Sequence, residues 1–171
     1  MTVLGADELN TDPFLLFNQW FAEAQQSEIN DPDAIALASV DAGGMPSVRM
    51  VLLKEILPEG FVFYTNYTSR KSGELMATGK AAFVIHWKSL RRQIRVTGSV
   101  EQVSDAQSDA YYQTRSRGSR IGAWASQQSK PLQNRGELTA AVRKIKETYP
   151  DEVPRPDHWG GFLIRPAEIE F

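Results

Sequence analysis

The alternation of apolar and polar positions divides this chain into short segments, most of them with the two-residue period of strands. The first clear signal is helical. Phe14, Phe17, Phe21 and Ala24 recur at helical spacing, and Leu16 and Trp20 widen the stripe. Asp12-Pro13 reads as an N-cap followed by proline at the first helical position. The pattern predicts a helix over about 13–27 within an N-terminal segment 12–28, ended by Asn30-Asp31-Pro32, with the aromatic stripe as its docking face. Residues 1–11 read as a flexible polar arm.

From Ala34 the period becomes that of strands. Ala34–Val40 and Ser47–Lys54 flank the hairpin signal Asp41-Ala42-Gly43-Gly44. Pro58-Glu59-Gly60 is a further turn, followed by a strand over Phe61–Thr65. Ser69 is placed to cap a short helix that runs to about Thr78 and closes at Gly79. Ala81–Trp87 and Gln93–Val100 read as two more strands. Ser104-Asp105-Ala106-Gln107 is a capping box that opens a helix weakening near Gly118, with a second helical piece at Ile121–Ser126. Gly136–Thr148 is amphipathic, with Leu138, Val142 and Ile145 on one side, and Trp159–Ile164 is the last strand. Five or six antiparallel strands with peripheral helices predict an α+β fold built on a small barrel, over one domain spanning 1–171. The hairpin order disfavours a parallel Rossmann sheet, and neither a Gly-x-Gly-x-x-Gly run nor a P-loop is present.

Composition narrows the chemistry. The chain has no cysteine, which excludes thiolate metal sites and cysteine nucleophiles, and its two histidines, His86 and His158, are too few for a histidine metal cluster. No apolar run approaches a membrane span and no signal-peptide pattern opens the chain, so a cytoplasmic protein is expected. The net charge of −2 conceals an asymmetry. Residues 1–48 contain no Lys or Arg, so residues 49–171 carry all 19 basic residues against 13 of the 21 acids, a balance of +6. Such a split fits an anionic partner for the basic part, or solvated faces that simply differ in sign. Nucleic acid is a poor choice of anion, because the basic residues are scattered and the sequence pI is about 5.7.

Four clusters could carry chemistry. In Arg49-Met50-Val51-Leu52-Leu53-Lys54, Val48, Met50 and Leu52 point to one face and Arg49, Val51 and Leu53 to the other. So apolar a strand is expected to be buried on both faces, with a cation near each end that reaches either water or an anion. Tyr64-Thr65-Asn66-Tyr67-Thr68-Ser69-Arg70-Lys71 joins a strand end to a helix start. Two cations in a first turn oppose the helix dipole, unless a phosphate sits there or they are solvated. In Arg91-Arg92-Gln93-Ile94-Arg95, Gln93 can donate and accept toward a heterocycle edge or lie on the sheet surface. Tyr111, Arg115 and Ser119, at spacing i, i+4, i+8, are expected on one helical face, where they suit either a phosphate or solvent.

Taken in order, "DPFLLFNQWF" (12–21), "RMVLLK" (49–54), "FVFYTNYTSRK" (61–71), "RRQIRVTG" (91–98), "YYQTRSRGSRIGAWASQQS" (111–129) and "VPRPDHWGGF" (153–162) resemble the pyridoxine/pyridoxamine 5′-phosphate oxidase family. That resemblance implies an FMN-binding split β-barrel and a homodimer whose active sites lie at the interface. It implies that Arg49, Arg70 and Lys71 hold the FMN phosphate, with hydrogen bonds from Thr65 and Ser129. The strand Arg49, Met50, Val51, Leu52, Leu53, Lys54 and the pair Tyr64, Thr65 would line the flavin, and Gln93 and Gln128 would contact it. Lys54, Tyr111, Arg115 and Ser119 would bind the phosphate of the B6 substrate. The implied reaction is oxidation of pyridoxine 5′-phosphate or pyridoxamine 5′-phosphate to pyridoxal 5′-phosphate, with O2 as acceptor and H2O2 as product. The alternatives are a split-barrel flavin oxidase acting on another substrate, such as a phenazine precursor, and an FMN- or pyridoxal-phosphate-binding protein with little turnover. The family continues past a Glu-Phe pair like Glu170-Phe171 with a Trp, an Arg-Leu-His segment and a closing strand. The family's substrate-facing Arg and His therefore fall beyond Phe171, and no catalytic residue is assigned within the chain. Truncation is the favoured explanation, on the expectation that a last strand ending at Phe171 leaves a barrel edge unpaired.

Overall fold

The computed structural model describes residues 11–171, so nearly all of the expected N-terminal arm lies outside the described residues. The elements follow in the order α1 (Pro13–Ser27), β1 (Ala34–Val40), β2 (Pro46–Leu57), β3 (Gly60–Asn66), α2 (Arg70–Thr78), β4 (Lys80–Trp87), β5 (Arg92–Gln102), α3 (Asp105–Thr114), α4 (Arg117–Ala125), α5 (Arg135–Thr148) and β6 (Trp159–Glu170). The strands form a closed antiparallel barrel in the order β1-β2-β3-β6-β5-β4, with β4 returning to β1. This is the split-barrel α+β architecture.

Local chemistry accounts for most boundaries. Asp12 accepts hydrogen bonds from the amides of Phe14 (2.8 Å) and Leu15 (3.3 Å), which starts α1 at Pro13. That helix buries Leu16, Phe17, Trp20 and Ala24 in the main core, where Phe17 meets Phe61 at 4.9 Å and Trp87 at 6.0 Å between ring centroids. In the β1–β2 turn the Asp41 carboxylate accepts from the amides of Gly43 and Met45, each at 2.9 Å, and Gly44 takes a left-handed φ of 86°. Ser104 caps α3 through the Gln107 amide, but the Gln107 side chain turns to Glu55, so only half of the expected capping box forms.

Two expectations are corrected. The barrel is closed, and the edge expected at the end of the chain is confined to residues 165–170 of β6, which pair with β5 alone. The first half of β6 pairs with β3 (Asn66 with Trp159 through Phe61 with Ile164), and β5 pairs along it from Gln102 with Phe162 to Arg95 with Glu170. Closure brings the Arg165 carbonyl onto Gly98, where a Cβ would lie 2.0 Å from that oxygen. The second concerns β2, which is not buried on both faces. Leu53 is buried, but Val48 and Met50 are 68% and 62% exposed. They share the outer sheet face with Ala36 and Ala38 of β1, their register partners, and with Val84 and Ala82 of β4 beyond them. An apolar strand face can stay uncovered within one chain when nothing from that chain packs on it.

Candidate functional site

The end of β3 and the start of α2 build the first part of the site. Asn66 Oδ1 accepts from the amide and the hydroxyl of Thr68, both at 2.7 Å, and turns the chain toward α2. Ser69 stands at the N-cap but does not cap; its hydroxyl lies 3.0 Å from that of Ser72 and accepts from Lys71. The buried Lys71 thus folds back, donating to Thr65 Oγ1 (2.8 Å), Gln128 Oε1 (2.7 Å) and Ser69 Oγ (3.0 Å). All three acceptors are neutral. Burial, and then the Arg49 guanidinium, push the Lys71 ammonium down to about 8.

Beneath it lies the buried carboxylate of Glu74. It accepts from Ser39 Oγ (2.5 Å), Ser47 Oγ (2.6 Å), Arg70 Nε (2.7 Å) and Arg49 Nη2 (3.2 Å). Burial raises its pKa, but the two hydroxyls and Arg70 outweigh burial and hold it at about 2. Arg49 also donates through Nη1 to the Leu37 carbonyl (3.0 Å) and Ser39 Oγ (2.6 Å), and through Nη2 to Ser47 Oγ. Its terminal nitrogens are therefore committed to the protein. A hollow of about 410 Å³ opens over Ser47, Arg49, Arg70, Lys71, Gln128 and Ser129.

The second part is a pocket of about 430 Å³ that shares Met50, Lys71 and Gln128 with the first, so the two are ends of one groove. One wall is a stack of rings: Tyr64 lies 4.0 Å from Tyr111 and 5.4 Å from Trp159, within 10° of parallel in both cases. Tyr64 donates its hydroxyl to Glu55, which also accepts from Gln107 Nε2 at 2.9 Å. Burial and this bond to a carboxylate raise the Tyr64 pKa. The Arg115 guanidinium sits 4.6 Å over the Trp159 ring, and its buried Nη1 has no hydrogen-bond partner among the described residues. Burial lowers its pKa. Ser119 lines the same pocket, as does Lys54, whose ammonium is 2.6 Å from Asp33 Oδ2.

The structure brings most of the expected residues together. Arg49, Arg70 and Ser129 line the first end; Val51, Leu52, Lys54, Tyr64, Thr65, Tyr111, Arg115 and Ser119 line the second; Met50, Lys71 and Gln128 serve both. Leu53 points into the core instead. Gln93 does not line the groove: it is exposed on β5 opposite His86, on the outer barrel face. Tyr111, Arg115 and Ser119 do not share one helix. Arg115 is the C-cap of α3, and Ser116 restarts the chain as the N-cap of α4, so the convergence comes from a helix break. Sequence reasoning missed Trp159 and Glu74. The spacing Arg70-x-x-x-Glu74 was the available signal for Glu74, and the aromatic residue opening the Trp159–Gly161 run was the signal for Trp159.

Comparison with known proteins identifies similar chains. The family description Pyridoxamine 5′-phosphate oxidase matches residues 21–149. The pyridoxine/pyridoxamine 5′-phosphate oxidase of Cereibacter sphaeroides is 61% identical over 160 residues, covering 94% of this chain and 80% of the relative. That of Brucella canis is 58% identical over 163 residues, covering 95% and 80%. Among solved structures, PhzG from Burkholderia lata in complex with tetrahydrophenazine-1-carboxylic acid superposes with a TM-score of 0.91 at 30% identity, covering 98% of this chain and 84% of that one. A pyridoxamine 5′-phosphate oxidase-related FMN-binding protein from Nostoc punctiforme has the same fold, with a TM-score of 0.75 at 17% identity over 94% of this chain and 84% of its own.

Proposed function

The chain belongs to the pyridoxamine 5′-phosphate oxidase family, a family of oxidoreductases, and on that premise we propose that it oxidises pyridoxine 5′-phosphate or pyridoxamine 5′-phosphate to pyridoxal 5′-phosphate with FMN as cofactor, O2 as acceptor and H2O2 as product. One observation carries the reading. A buried ammonium, Lys71, where the two ends of the groove meet, and a half-buried guanidinium, Arg115, with a buried Nη1, face this groove, and among the described residues neither is paired with a carboxylate. Buried cations without counter-charges suit ligands that bring the negative charge with them. Two ends suit two phosphates, each carrying close to two negative charges near neutral pH.

The residues present fit FMN. Lys71, Arg70 and Ser129 would hold its phosphate, and Thr65 and Gln128, already bonded to Lys71, would align that ammonium. Arg49 would contribute its positive charge from beneath, since its terminal nitrogens are engaged by Ser39, Ser47, Glu74 and the Leu37 carbonyl. Met50, Val51, Leu52 and Tyr64 would line the ring system. When bound, the flavin supplies the redox chemistry, accepting two electrons from the substrate's 4′ carbon and returning them to O2. The work of this chain's own residues is binding and alignment. Arg115, Ser119, Tyr111 and Lys54 would fix the substrate phosphate, and the stacked rings of Tyr64, Tyr111 and Trp159 would exclude water from one side of the pocket.

A homodimer completes the proposal. The exposed apolar face around Val48 and Met50 is suited to cover by a second copy, and Gln93 on the same outer face would then serve the groove of the other chain. A second reading, oxidation of a phenazine precursor, draws on the likeness to PhzG. The set Lys54, Tyr111, Arg115 and Ser119, two cations and two hydroxyls lining one pocket, favours a phosphorylated substrate over it. Steady-state peroxide formation from phosphorylated and dephosphorylated B6 vitamers tests the choice. A strong preference for the phosphorylated forms is expected; equal rates on both would contradict the assignment of Lys54, Tyr111, Arg115 and Ser119.

A further inference from the structure

The two cations offered to the substrate phosphate are in opposite states. Among the described residues the buried Arg115 Nη1 has no hydrogen-bond partner, whereas Lys54 is held by Asp33 at 2.6 Å. The Asp33 carboxylate is presented from a backbone pinned on both sides. Its own carbonyl accepts from the Leu53 amide at 2.8 Å, one residue before Lys54, and the preceding Pro32 carbonyl accepts from the indole of the buried Trp87 at 2.8 Å. Lys54 by contrast ends a flexible four-carbon stem at the boundary between the substrate pocket and a neighbouring hollow of about 350 Å³ that Asp33 lines.

We propose that Asp33 is a specificity-determining residue: it holds Lys54 in an ion pair that a dianionic phosphate displaces and that a singly charged acid does not. The inference rests on the reading of this pocket as the substrate-phosphate site. A phosphate monoester carries nearly two charges near neutral pH and a carboxylate one. Exchange of Asp33 for phosphate therefore gains Coulomb energy, while exchange for another carboxylate roughly breaks even. Asp33 thus lowers the affinity for every anion but penalises singly charged acids most, because they gain nothing from Lys54.

The test uses FMN-loaded wild type, Asp33→Asn, Lys54→Met and the double variant, with Asp33→Ser as a second replacement. Binding of pyridoxal 5′-phosphate and of nicotinate, a singly charged pyridine acid, is measured by titration calorimetry. Asp33→Asn is expected to tighten pyridoxal 5′-phosphate by roughly two- to five-fold, the size of a partly exposed ion pair, and nicotinate by at least as much. In the Lys54→Met background the same change is expected to have no effect, which separates release of Lys54 from a simple loss of negative charge. Unchanged or weaker binding in both Asp33 variants, or an equal gain with Lys54 absent, would overturn the proposal. Wild type that binds pyridoxal 5′-phosphate but forms no peroxide from pyridoxamine 5′-phosphate would contradict the oxidase reading instead, and the affinity ratios would still judge Asp33.

Discussion

Removing the charge on Lys71 by raising the pH is expected to weaken FMN binding while leaving the ring contacts alone. The ammonium has only neutral acceptors, and burial and Arg49 hold its pKa near 8 instead of 10.5. A phosphate dianion placed there pulls the pKa back up, so binding takes up a proton above pH 8. By linkage the FMN affinity is flat between about pH 6.5 and 7.5, then falls by up to tenfold per pH unit above about 8. From pH 7 to pH 9 the expected loss is about tenfold. Quenching of flavin fluorescence on binding measures it, and riboflavin, which lacks the phosphate, is the control and should show no such slope. The same shift bears on the flavin-free protein. Because the folded pKa lies below the unfolded one, charging Lys71 costs stability as the pH falls from 10.5 through 8, and that cost persists at neutral pH. It amounts to about 3 kcal/mol at most. Lys71→Met should therefore raise the melting temperature of the flavin-free protein by several degrees while weakening FMN and abolishing the pH slope. An FMN affinity independent of pH, or an equal slope with riboflavin, would refute the reasoning.

Three further outcomes are expected. The Glu74 carboxyl is held at about 2 against an ordinary 4.5, so it stabilises the fold above pH 4.5 and that contribution is lost as the pH falls toward 2. Glu74→Gln should lose about 3 kcal/mol at pH 7 in urea unfolding and much less at pH 3. Arg115→Ala should raise KM for pyridoxamine 5′-phosphate by about tenfold or more, one charged hydrogen bond being worth about 1.5–3 kcal/mol, while the flavin remains bound on gel filtration. Val48→Asp places a charge on the exposed apolar face and should shift the mass measured by light scattering from dimer to monomer, with weaker FMN retention.

Much of this molecule was legible locally. The Asp12 cap, the Asp41 turn and the Gly79 stop are short-range chemistry, and the structure places each where the residues predict. The alternation in Ser47–Leu53 was also correct, since odd positions point inward and even ones outward. What covers the outer face was not legible, because the alternation gives the side and not the neighbour. A barrel was expected, but the partner of the last strand's second half was hidden for a similar reason: Arg95 meets Glu170 across 75 residues, and no window on either strand reports the other. The helix break at Arg115 was misread because the i, i+4, i+8 spacing suggests a continuous face, while Ser116 supplies a new N-cap within it. Glu74 escaped notice because a lone acid in a short helix reads as surface charge. Its role depends on Ser39 and Ser47, which reach it only through the β1–β2 hairpin.

The claim that this groove aligns a phosphorylated B6 vitamer with a bound flavin is tested most directly by mixing the FMN-loaded protein with pyridoxamine 5′-phosphate in the absence of O2. The account predicts that the visible flavin absorption bleaches, and that it returns with formation of peroxide when O2 is admitted. A protein that binds FMN and the vitamer, yet keeps its flavin oxidised throughout, would contradict it.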